Sequence, residues 1–596
     1  MDKREVFMTD TITSDNLFQA ILYGAVRTEE RKDDLNRINV FPVVDNDTGS
    51  NLAHTMHFIL SHSKAQASVR STLKDVARSA LIGARGNSGA IFSQYFNGLY
   101  LRSPDKAYVT LSEMAVFFQE AFDKAYHAID TPVEGTIITL MRAWSVSFRE
   151  SLEERKSMRE IFETSLLRIK VSLEETTNTL EALRKLRIVD AGALGYYYFM
   201  DGFVQSILGL GTKIQPYEAA LPTAIDADIH NYGETSQMNF RYCTEVLIEA
   251  ESMDLQGFHE ELTTRGDCLL ISSTDNLTRI HLHTNEPWEI VRLASLRGRL
   301  LEQKADDMIH QNLLAGPFEN KIACVTDSVA DLPQEYVFEH NIFQIPVNIM
   351  VERVSYLDKV TIDSAFLNEH LADASTSQIN SEQIRNFLEP ILSHYSQVVI
   401  LTVSSHMSGT YSRFKETLAD MQIPDSKAVL IDTRVNSGAQ GLLVLQAVQM
   451  IEQGLSFPHI VSALEAMRSR AKILVSVLDI EMMAHSGRVS EKIGDLLIRL
   501  KFKPLISIDP DGKGTIKGVA FSFSKNRKIL LKSMRGKHVE DYCLVHAAAP
   551  ERVESLRQDM IRITGKLPLY TTEISSAVTL FAGKGSVAVA YLEKIS

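Results

Sequence analysis

Apolar residues recur with helical spacing through about the first 215 residues of the chain. Between residues 17 and 25 they fall on one face of a helix, and Ser14 stands where an N-cap is expected. Residues 111–129 form a second long amphipathic run, and residues 152–186 are charged with leucines at intervals, as in solvated helices around a core. Strand-like alternation is scarce. The pattern therefore predicts an all-α domain over residues 1–215.

The helical pattern stops near residue 211, and residues 216–238 carry prolines, a glycine and polar residues that predict a linker. Strand-like runs follow at residues 242–248, 268–271 and 279–284, and a charged segment at 287–303 predicts a helix. We therefore expect a small α/β domain over residues 239–316.

From residue 319 to 596, short apolar runs alternate with helical segments, which is typical of a parallel sheet in an α/β domain. The predicted strands cover residues 321–325, 398–403, 429–432, 473–478 and 542–546. Ligand sites in such sheets lie just beyond the carboxyl ends of the strands. The segment Ser404–Tyr411, rich in hydroxyl groups, follows one of these ends, so the sequence predicts a binding site there.

Composition narrows the classes of function. The chain has 596 residues, enough for three or four domains, and its net charge of −13 disfavours nucleic acid as a partner. Four scattered cysteines do not predict a disulfide framework. No run of about 18 apolar residues is present, and the N-terminus lacks the apolar region of a secretion signal. We expect a cytoplasmic protein without stable membrane insertion.

The segment from Asn39 to Asn51, the first motif, combines two carboxylates with small polar residues. Asp45 and Asp47 lie two residues apart, and Thr48, Gly49, Ser50 and Asn51 precede an apolar run that predicts a helix. Carboxylates so spaced can bind Mg²⁺, and backbone amides at a helix start favour phosphate. An ordinary turn with an N-cap explains the same residues. The spacing alone leaves both explanations open.

The first motif resembles the signature of the nucleotide domain of bacterial fatty acid kinases, which is related to the L subunit of dihydroxyacetone (glycerone) kinase. Three further segments match this family in order. They are the second motif (Gly83–Gly89), the third (Pro132–Thr136) and the fourth (Val189–Gly195). The resemblance implies an eight-helix barrel that binds ATP at one end.

The resemblance also implies roles for single residues. Asp45 and Asp47 would ligate Mg²⁺, with Asn39 as a weaker third ligand, and Arg85 would lie near the γ-phosphate unless it forms a surface ion pair. The remaining expected nucleotide contacts are Thr48, Gly49, Ser50, Asn51, Ser88, Gly89, Gly135, Thr136 and Asp190. Tight helix packing is the alternative explanation for the glycines.

Three residues of the expected middle domain form a second candidate metal site. His281 and His283 point to the same face of a strand, and Cys243 lies on another strand. The residues alone favour a pair of surface histidines. However, Tyr-Cys-Thr-Glu followed by His-x-His-Thr resembles the middle domain of the fatty acid kinase catalytic protein, which implies Zn²⁺ in a structural or docking role.

Residues 319–596 resemble the DegV family of fatty-acid-binding proteins, whose fold is two-lobed. The matching segments are Thr326–Pro333, Thr376–Gln378, Ser404–Tyr411 and Ser486–Ser490. The resemblance implies an apolar tunnel for one acyl chain. The expected contacts of its carboxylate are Thr376, Ser377, Ser408, the amide of Gly409, and Arg488. An N-cap is the alternative role for Ser408.

The chain departs from the DegV pattern in one segment. Phe581 stands where the family has a histidine facing the head group, and Lys584 replaces a proline. This change removes a donor that could bind an acyl phosphate.

Together these features predict a kinase fused to its fatty acid carrier, which transfers the γ-phosphoryl group of ATP to a bound fatty acid. The acyl phosphate would serve phospholipid synthesis through an acyltransferase, and a homodimer could bring the two sites together. Two alternatives stay open. The C-terminal domain could be a lipid sensor, or the kinase could act on another acceptor, such as a small polyol or a fatty acid on a separate carrier.

Overall fold

A computed structural model describes residues 11–40, 47–210, 239–316, 318–478, 499 and 502–594. The chain divides into two compact units, Met1–Gly316 and Pro317–Ser596. In the described residues no helix has both the length and the apolar character needed to cross a bilayer.

The first unit begins with helices, as the apolar spacing predicts. The longer ones are α1 (Ser14–Glu29), α3 (Thr48–His62), α4 (Val69–Gly83), α5 (Gly86–Arg102), α6 (Leu111–His127), α7 (Ile137–Glu153), α8 (Met158–Thr179) and α10 (Ala191–Ile207). The short elements are α2 (Lys32–Arg37), α9 (Glu181–Leu186) and the antiparallel strands β1 (Thr11–Thr13) and β2 (Tyr108–Thr110). Thr13, not Ser14, is the N-cap of α1, because its side chain accepts a hydrogen bond from Asn16 N.

Each longer helix packs against the next along the chain, and α10 packs against α1, α7 and α8. Buried aromatic side chains, among them Trp144, Phe118 and Phe148, fill the core between them. Contacts around Gly86 and Gly192 bring the starts of α3, α5, α7 and α10 to the same end of the unit. All four helices begin at or next to one of the four motifs.

The middle region adds a four-stranded antiparallel sheet in the order β4-β5-β3-β6. Its elements are β3 (Tyr242–Glu249), α11 (Leu255–Thr263), β4 (Asp267–Thr274), β5 (Leu277–Thr284), α12 (Pro287–Ser295), β6 (Arg299–Asp307) and α13 (Met308–Ala315). The helix predicted over 287–303 is therefore wrong beyond Ser295, since residues 299–307 form β6 and pair with β3. This sheet packs against α4 and α5.

The described residues of the second unit form three sheets. Its strands are β7 (Glu319–Asp327), β8 (Phe343–Ile345), β9 (Asn348–Val351), β10 (Val354–Leu357), β11 (Ala374–Ser377), β12 (Tyr395–Thr402), β13 (Ala428–Asp432), β14 (Ala471–Ser476), β15 (Lys503–Ile508), β16 (Gly514–Ala520), β17 (Val539–His546), β18 (Thr571–Glu573) and β19 (Val587–Glu593). Its helices are α14 (Gln334–Glu339), α15 (Ser364–Glu369), α16 (Ser381–His394), α17 (Thr410–Asp420), α18 (Ser437–Glu452), α19 (Phe457–Met467), α20 (Phe523–Met534), α21 (Pro550–Thr564) and α22 (Ser576–Ala582).

Only part of this unit has the predicted parallel pairing. The sheet β13-β12-β7-β8 is parallel throughout, whereas β10-β9-β11 is antiparallel. The six-stranded sheet β16-β15-β14-β19-β17-β18 is antiparallel except at its β17–β18 pair. Helix α18 packs against strands of both larger sheets, and twelve of its sixteen residues are buried, as expected for a helix between two layers.

Candidate functional site

The described parts of the four motifs meet at one end of the helical region. A Cβ atom added at Gly86 would lie 2.3 Å from Asn51 Nδ2, so the first and second motifs touch. A Cβ atom added at Gly192 would lie 3.3 Å from both Ser88 Oγ and Asp190 Oδ2, and 3.6 Å from Ile137 Cβ. Four helix starts therefore gather at this end, which favours an anionic ligand.

The carboxylates of the first motif are described only in part. Asp45 and Arg488 lie outside the described residues, so their expected roles stay predictions. Asp47 is the N-cap residue of α3, and the buried Asn39 accepts a hydrogen bond of 2.9 Å at its Oδ1 from Thr48 Oγ1. Asn39 Oδ1 is thus already engaged by the first residue of α3.

Other residues of the first motif contact α2. Ser50 N donates to Asn36 Oδ1 at 3.0 Å, and Asn36 Nδ2 donates to Ser50 Oγ at 3.0 Å. A Cβ atom at Gly49 would lie 2.0 Å from Lys32 O. Close helix packing therefore explains Gly49 by itself.

Helix packing also accounts for the glycines of the next two motifs. A Cβ atom at Gly89 would lie 2.5 Å from Thr55 Oγ1. Gly135 has φ +84, and a Cβ atom there would lie 2.5 Å from Thr179 Cβ, while Thr136 Oγ1 donates to Val133 O at 2.7 Å. Their expected nucleotide contacts stay predictions beside this structural role.

Asp190 is a buried N-cap. Its Oδ2 accepts a hydrogen bond of 2.8 Å from Ala193 N at the start of α10, and Asp190 N donates to Thr176 Oγ1 at 3.1 Å. Burial raises the pKa of the Asp190 carboxyl to about 7, although the amides of Ala193 and Gly192 oppose the shift. The charge state of this helix start thus changes near neutral pH.

Asp190→Asn is expected to stabilise the first unit more at pH 8 than at pH 5. The pKa of the folded-state carboxyl, about 7, lies above its ordinary value of 3.8. The carboxyl therefore favours folding most at low pH, and this contribution is lost as the pH rises through 7. Asparagine caps a helix equally well without that charge, so we expect the stability difference to grow by about 2 kcal/mol between pH 5 and pH 8.

Tryptophan fluorescence during guanidinium unfolding measures this effect, because both tryptophans of the chain, Trp144 and Trp288, lie in the first unit. Asp254→Asn is the matched control, since Asp254 is an exposed N-cap that accepts a hydrogen bond of 3.0 Å from Gly257 N. A pH-independent difference for Asp190→Asn would contradict the prediction.

Arg85 forms ion pairs with the middle sheet. Its guanidinium contacts Glu302 and lies 3.6 Å from Glu245 Oε2. Glu245 Oε1 also accepts a hydrogen bond of 2.5 Å from Gly86 N, the first amide of α5. The side chain of Arg85 is 15% exposed, so these are not the surface ion pairs that we considered from the sequence.

Arg279 completes this buried network. Its Nη1 lies 3.4 Å from Glu245 Oε2 and its Nη2 lies 3.0 Å from Glu302 Oε2. Its Nε donates to Leu81 O at 2.9 Å, at the end of α4. Burial alone would raise the pKa of Glu245, but the hydrogen bond with His281 and the charge of Arg279 outweigh it and hold that pKa well below its usual range. The middle sheet is thus joined to the second motif by paired charges.

Cys243, His281 and His283 come together as the resemblance implies. Their ligand atoms all lie within 4.8 Å of one another, and His281 Nδ1 is 3.7 Å from Cys243 Sγ. The two histidines are 2% and 6% exposed, so the alternative of a surface pair is wrong. His281 Nε2 is buried and has no hydrogen-bond partner among the described residues.

One sulfur and two nitrogen donors suit Zn²⁺, and the unpartnered nitrogen fits a ligand atom. Burial lowers the pKa of His283 to about 3, which keeps that ring neutral as a metal ligand requires. Asp267 Oδ1 lies 3.2 Å from His283 Nδ1 and would orient the ring. The residues present therefore fit the implied ion.

The second unit encloses a cavity of about 350 Å³, within the size range of small-molecule sites. Apolar side chains from β14, β15, β17, β19 and α22 form most of its wall. Of the expected substrate residues, Thr376, Ser377, Ser408 and Gly409 line it. Phe581 lines it as well. Sequence reasoning missed other polar lining residues, namely Asn436, Ser437, Ser507, His546 and Ser586.

Two segments predicted to hold the carboxylate are neighbours. A Cβ atom at Gly409 would lie 2.3 Å from Gln378 Nε2, which places the loop before α17 against the end of β11. The N-cap residue of α17 is Gly409, so the capping alternative for Ser408 is wrong. Ser408 Oγ accepts a hydrogen bond of 3.3 Å from Thr410 N and also lines the cavity.

Buried aspartates fix one wall of the cavity. Asp331 Oδ1 accepts a hydrogen bond of 2.7 Å from Ser575 N, and Asp358 Oδ1 accepts one of 2.8 Å from Ser576 N. These bonds hold the start of α22, whose Ala577 and Phe581 face the cavity. Burial raises the pKa of Asp358 to about 6.

Three family matches cover most of the chain. Residues 42–205 match the DAK2 domain, residues 239–313 match the FakA-like middle domain of fatty acid kinases, and residues 321–594 match the DegV family.

Curated relatives match about half of this chain. An uncharacterized protein of Staphylococcus haemolyticus is 28% identical over 300 residues, which cover 49% of this chain and 54% of that protein. An uncharacterized protein of Staphylococcus saprophyticus is 29% identical over 308 residues, which cover 49% of this chain and 55% of that protein. The chain thus spans about half the length of the curated relatives it matches.

Solved DegV-family proteins are similar to part of this chain. A fatty-acid-binding DegV-family protein from Thermus thermophilus is 23% identical with a TM-score of 0.42, over 46% of this chain and 100% of that protein. The fatty-acid-binding DegV from Bacillus subtilis is 21% identical with a TM-score of 0.41. The match covers 46% of this chain and 100% of that protein. From its family matches, the chain carries, in this order, a DAK2 domain, a FakA-like middle domain of the fatty acid kinase type and a DegV-family domain.

Proposed function

We propose that this protein is an ATP-dependent fatty acid kinase whose DegV-family domain holds the fatty acid. The observation that carries the proposal is the cavity of the second unit, which is mainly apolar and has hydroxyl groups from two neighbouring segments in its wall. An acyl chain matches the apolar wall, and a carboxylate matches hydroxyl and amide donors.

The helical region would supply the nucleotide site, as an eight-helix barrel. The converging starts of α3, α5, α7 and α10 favour the phosphates, and the amides in the first turn of a helix have no acceptor within that helix. Asp45 and Asp47, with Asn39, would hold Mg²⁺, which neutralises charge on the transferred phosphoryl group.

The chemistry needs no general base. An oxygen of the fatty acid carboxylate attacks the γ-phosphorus, the bond from that phosphorus to the bridging oxygen breaks, and ADP leaves with the electron pair. Ser408, Thr376 and the amide of Gly409 are neutral donors, so they would orient the carboxylate while leaving it more nucleophilic than an ion pair would. The two sites must meet for transfer, either in one chain or between two copies.

The test combines ATP turnover with mass spectrometry of the lipid. We expect added oleate or palmitate to raise ATP turnover by about tenfold or more and to yield acyl phosphate in a one-to-one ratio with ADP. The corresponding fatty acid methyl ester, which has neither a free carboxylate nor a hydroxyl group to accept the phosphoryl group, is the control. Turnover without acyl phosphate would contradict the proposal.

A lipid sensor is the second candidate, and Phe581 favours it. Phe581 contributes an apolar ring to the cavity wall where the resemblance leads us to expect a histidine. In that case lipid would change the rate of ATP turnover toward another acceptor, such as a small polyol or a fatty acid on a separate carrier. Product analysis in the same experiment separates this candidate from the kinase.

A further inference from the structure

Glu245 lies between the metal-ligand cluster of the middle sheet and the start of α5. It stands on β3 two residues after Cys243, so both side chains are on the same face of the strand. Its carboxylate is 3% exposed. The Glu245 carboxylate contacts the second motif on one side and the metal-ligand cluster on the other.

On one side, Glu245 holds the second motif. Its Oε1 accepts a hydrogen bond of 2.5 Å from Gly86 N, and its Oε2 lies 3.6 Å from Arg85 Nη1. A carboxylate at a helix N-terminus is favourable because the amides there carry partial positive charge. Since Glu245 engages the first amide of α5, the amides of Asn87 and Ser88 are those left in the first turn for another anion.

On the other side, Glu245 holds a metal-ligand candidate. His281 Nδ1 lies 3.4 Å from Glu245 Oε1, the same oxygen that accepts from Gly86 N. Arg279 fixes the second oxygen from 3.4 Å. A shift of the His281 ring therefore either breaks its contact with Glu245 or moves the carboxylate that also accepts from Gly86 N.

We propose that Glu245 is a positioning residue that couples metal binding at Cys243, His281 and His283 to nucleotide binding at the second motif. A bound ion fixes the His281 ring, the ring fixes Glu245, and Glu245 fixes the first turn of α5. This inference deepens the proposed function, since it rests on nucleotide binding at the helix starts. By linkage, metal tightens nucleotide binding and nucleotide tightens metal binding by the same factor.

The direct test is titration of the full chain with a fluorescent ATP analogue in the presence of Mg²⁺. One sample carries Zn²⁺, and the other is treated with a chelator selective for zinc over magnesium. We expect Zn²⁺ to lower the Kd for the analogue by about fivefold or more. Equal affinities in the two samples would overturn the inference while leaving the proposed function standing.

Glu245→Gln identifies the residue responsible. The glutamine amide keeps the side-chain size but removes the negative charge that Arg279 and Arg85 face. Only one of its two terminal atoms can accept a hydrogen bond, whereas both oxygens of the carboxylate do so. We expect this variant to bind one Zn²⁺ per chain, measured by elemental analysis, while its nucleotide affinity no longer responds to zinc. Glu249→Gln is the matched control, since Glu249 ends the same strand and pairs with Arg299. A variant with an unchanged zinc response would overturn the role of Glu245.

Hydrogen exchange supplies a measurement that needs no nucleotide. We expect Zn²⁺ to slow exchange of the amides in residues 83–89 by about fivefold in the wild-type chain and to leave them unchanged in Glu245→Gln. If zinc protects these amides but no ATP analogue binds to either form, the proposed function fails and the coupling to nucleotide fails with it. If zinc leaves these amides unprotected in the wild-type chain, the inference alone fails.

Discussion

Asp47→Asn is expected to lower fatty-acid-dependent ATP turnover by about 100-fold or more while leaving lipid binding intact. Asp47 is the N-cap residue of α3, at the end of the helical region where α5, α7 and α10 also begin. Under the proposed mechanism its carboxylate is a Mg²⁺ ligand, and asparagine removes the charge that holds the ion. Steady-state turnover with saturating lipid measures the loss, and isothermal titration with oleate measures lipid binding.

Asp33→Asn is the matched control for this prediction. Asp33 is an exposed carboxylate in the first turn of α2, close in sequence to the first motif. The same change there should leave turnover within about twofold, as for most surface substitutions. Raising the Mg²⁺ concentration should partly restore Asp47→Asn, because a weakened site fills at higher ion concentration. Unchanged turnover in Asp47→Asn would remove this residue from the metal site.

The helical region was predictable from the sequence because its signal is local. Apolar spacing located α6 within two residues of its observed limits, and the predicted apolar face over residues 17–25 lies inside α1. That the four motifs serve one end of the unit was expected only from the resemblance to the fatty acid kinase nucleotide domain. The ion pairs of Arg85 were not, because Glu245 and Glu302 lie more than 150 residues away in the chain.

Strand β6 shows where local preference fails. Residues 299–307 are rich in Leu, Glu, Gln, Lys and Ala, which favour a helix in isolation. They form a strand because β3 offers an unpaired edge on which their backbone groups find partners. Burial of a neighbouring strand edge outweighs propensities of a few tenths of a kcal/mol per residue.

Whether strands of the second unit pair parallel or antiparallel depends on which strands lie next to one another in the sheet. The strands β14 and β17 were expected in a parallel sheet, yet β19, the last of the described strands, inserts between them and pairs antiparallel with both. The positions of apolar runs along the chain do not predict that a distant strand will lie between two others in the sheet. For Glu245 a usable signal did exist, since it stands two residues from Cys243 on one strand face.

Blocking the cavity is expected to have the second large effect. Ala588 lines the cavity from β19, with Val475 and Val545 opposite it on the neighbouring strands, and these two also line the cavity. In Ala588→Phe the ring would occupy space that acyl carbons need. Excluding about four methylene groups, at ~0.8 kcal/mol each, weakens lipid binding by roughly 100-fold. Lipid-dependent ATP turnover should fall to the level measured without lipid.

Ala577→Phe tests the same cavity from a different element, because Ala577 belongs to α22 and also lines the cavity. Two substitutions on different elements with the same result exclude a local distortion of one element. Val519→Phe adds an aromatic ring at an exposed position of β16 and should leave lipid binding unchanged.

The lipid extracted from each purified variant is quantified by mass spectrometry, and circular dichroism checks that each variant is folded. If both cavity variants fold and retain one acyl chain per protein, the lipid occupies another part of the molecule and the proposed acceptor site is wrong.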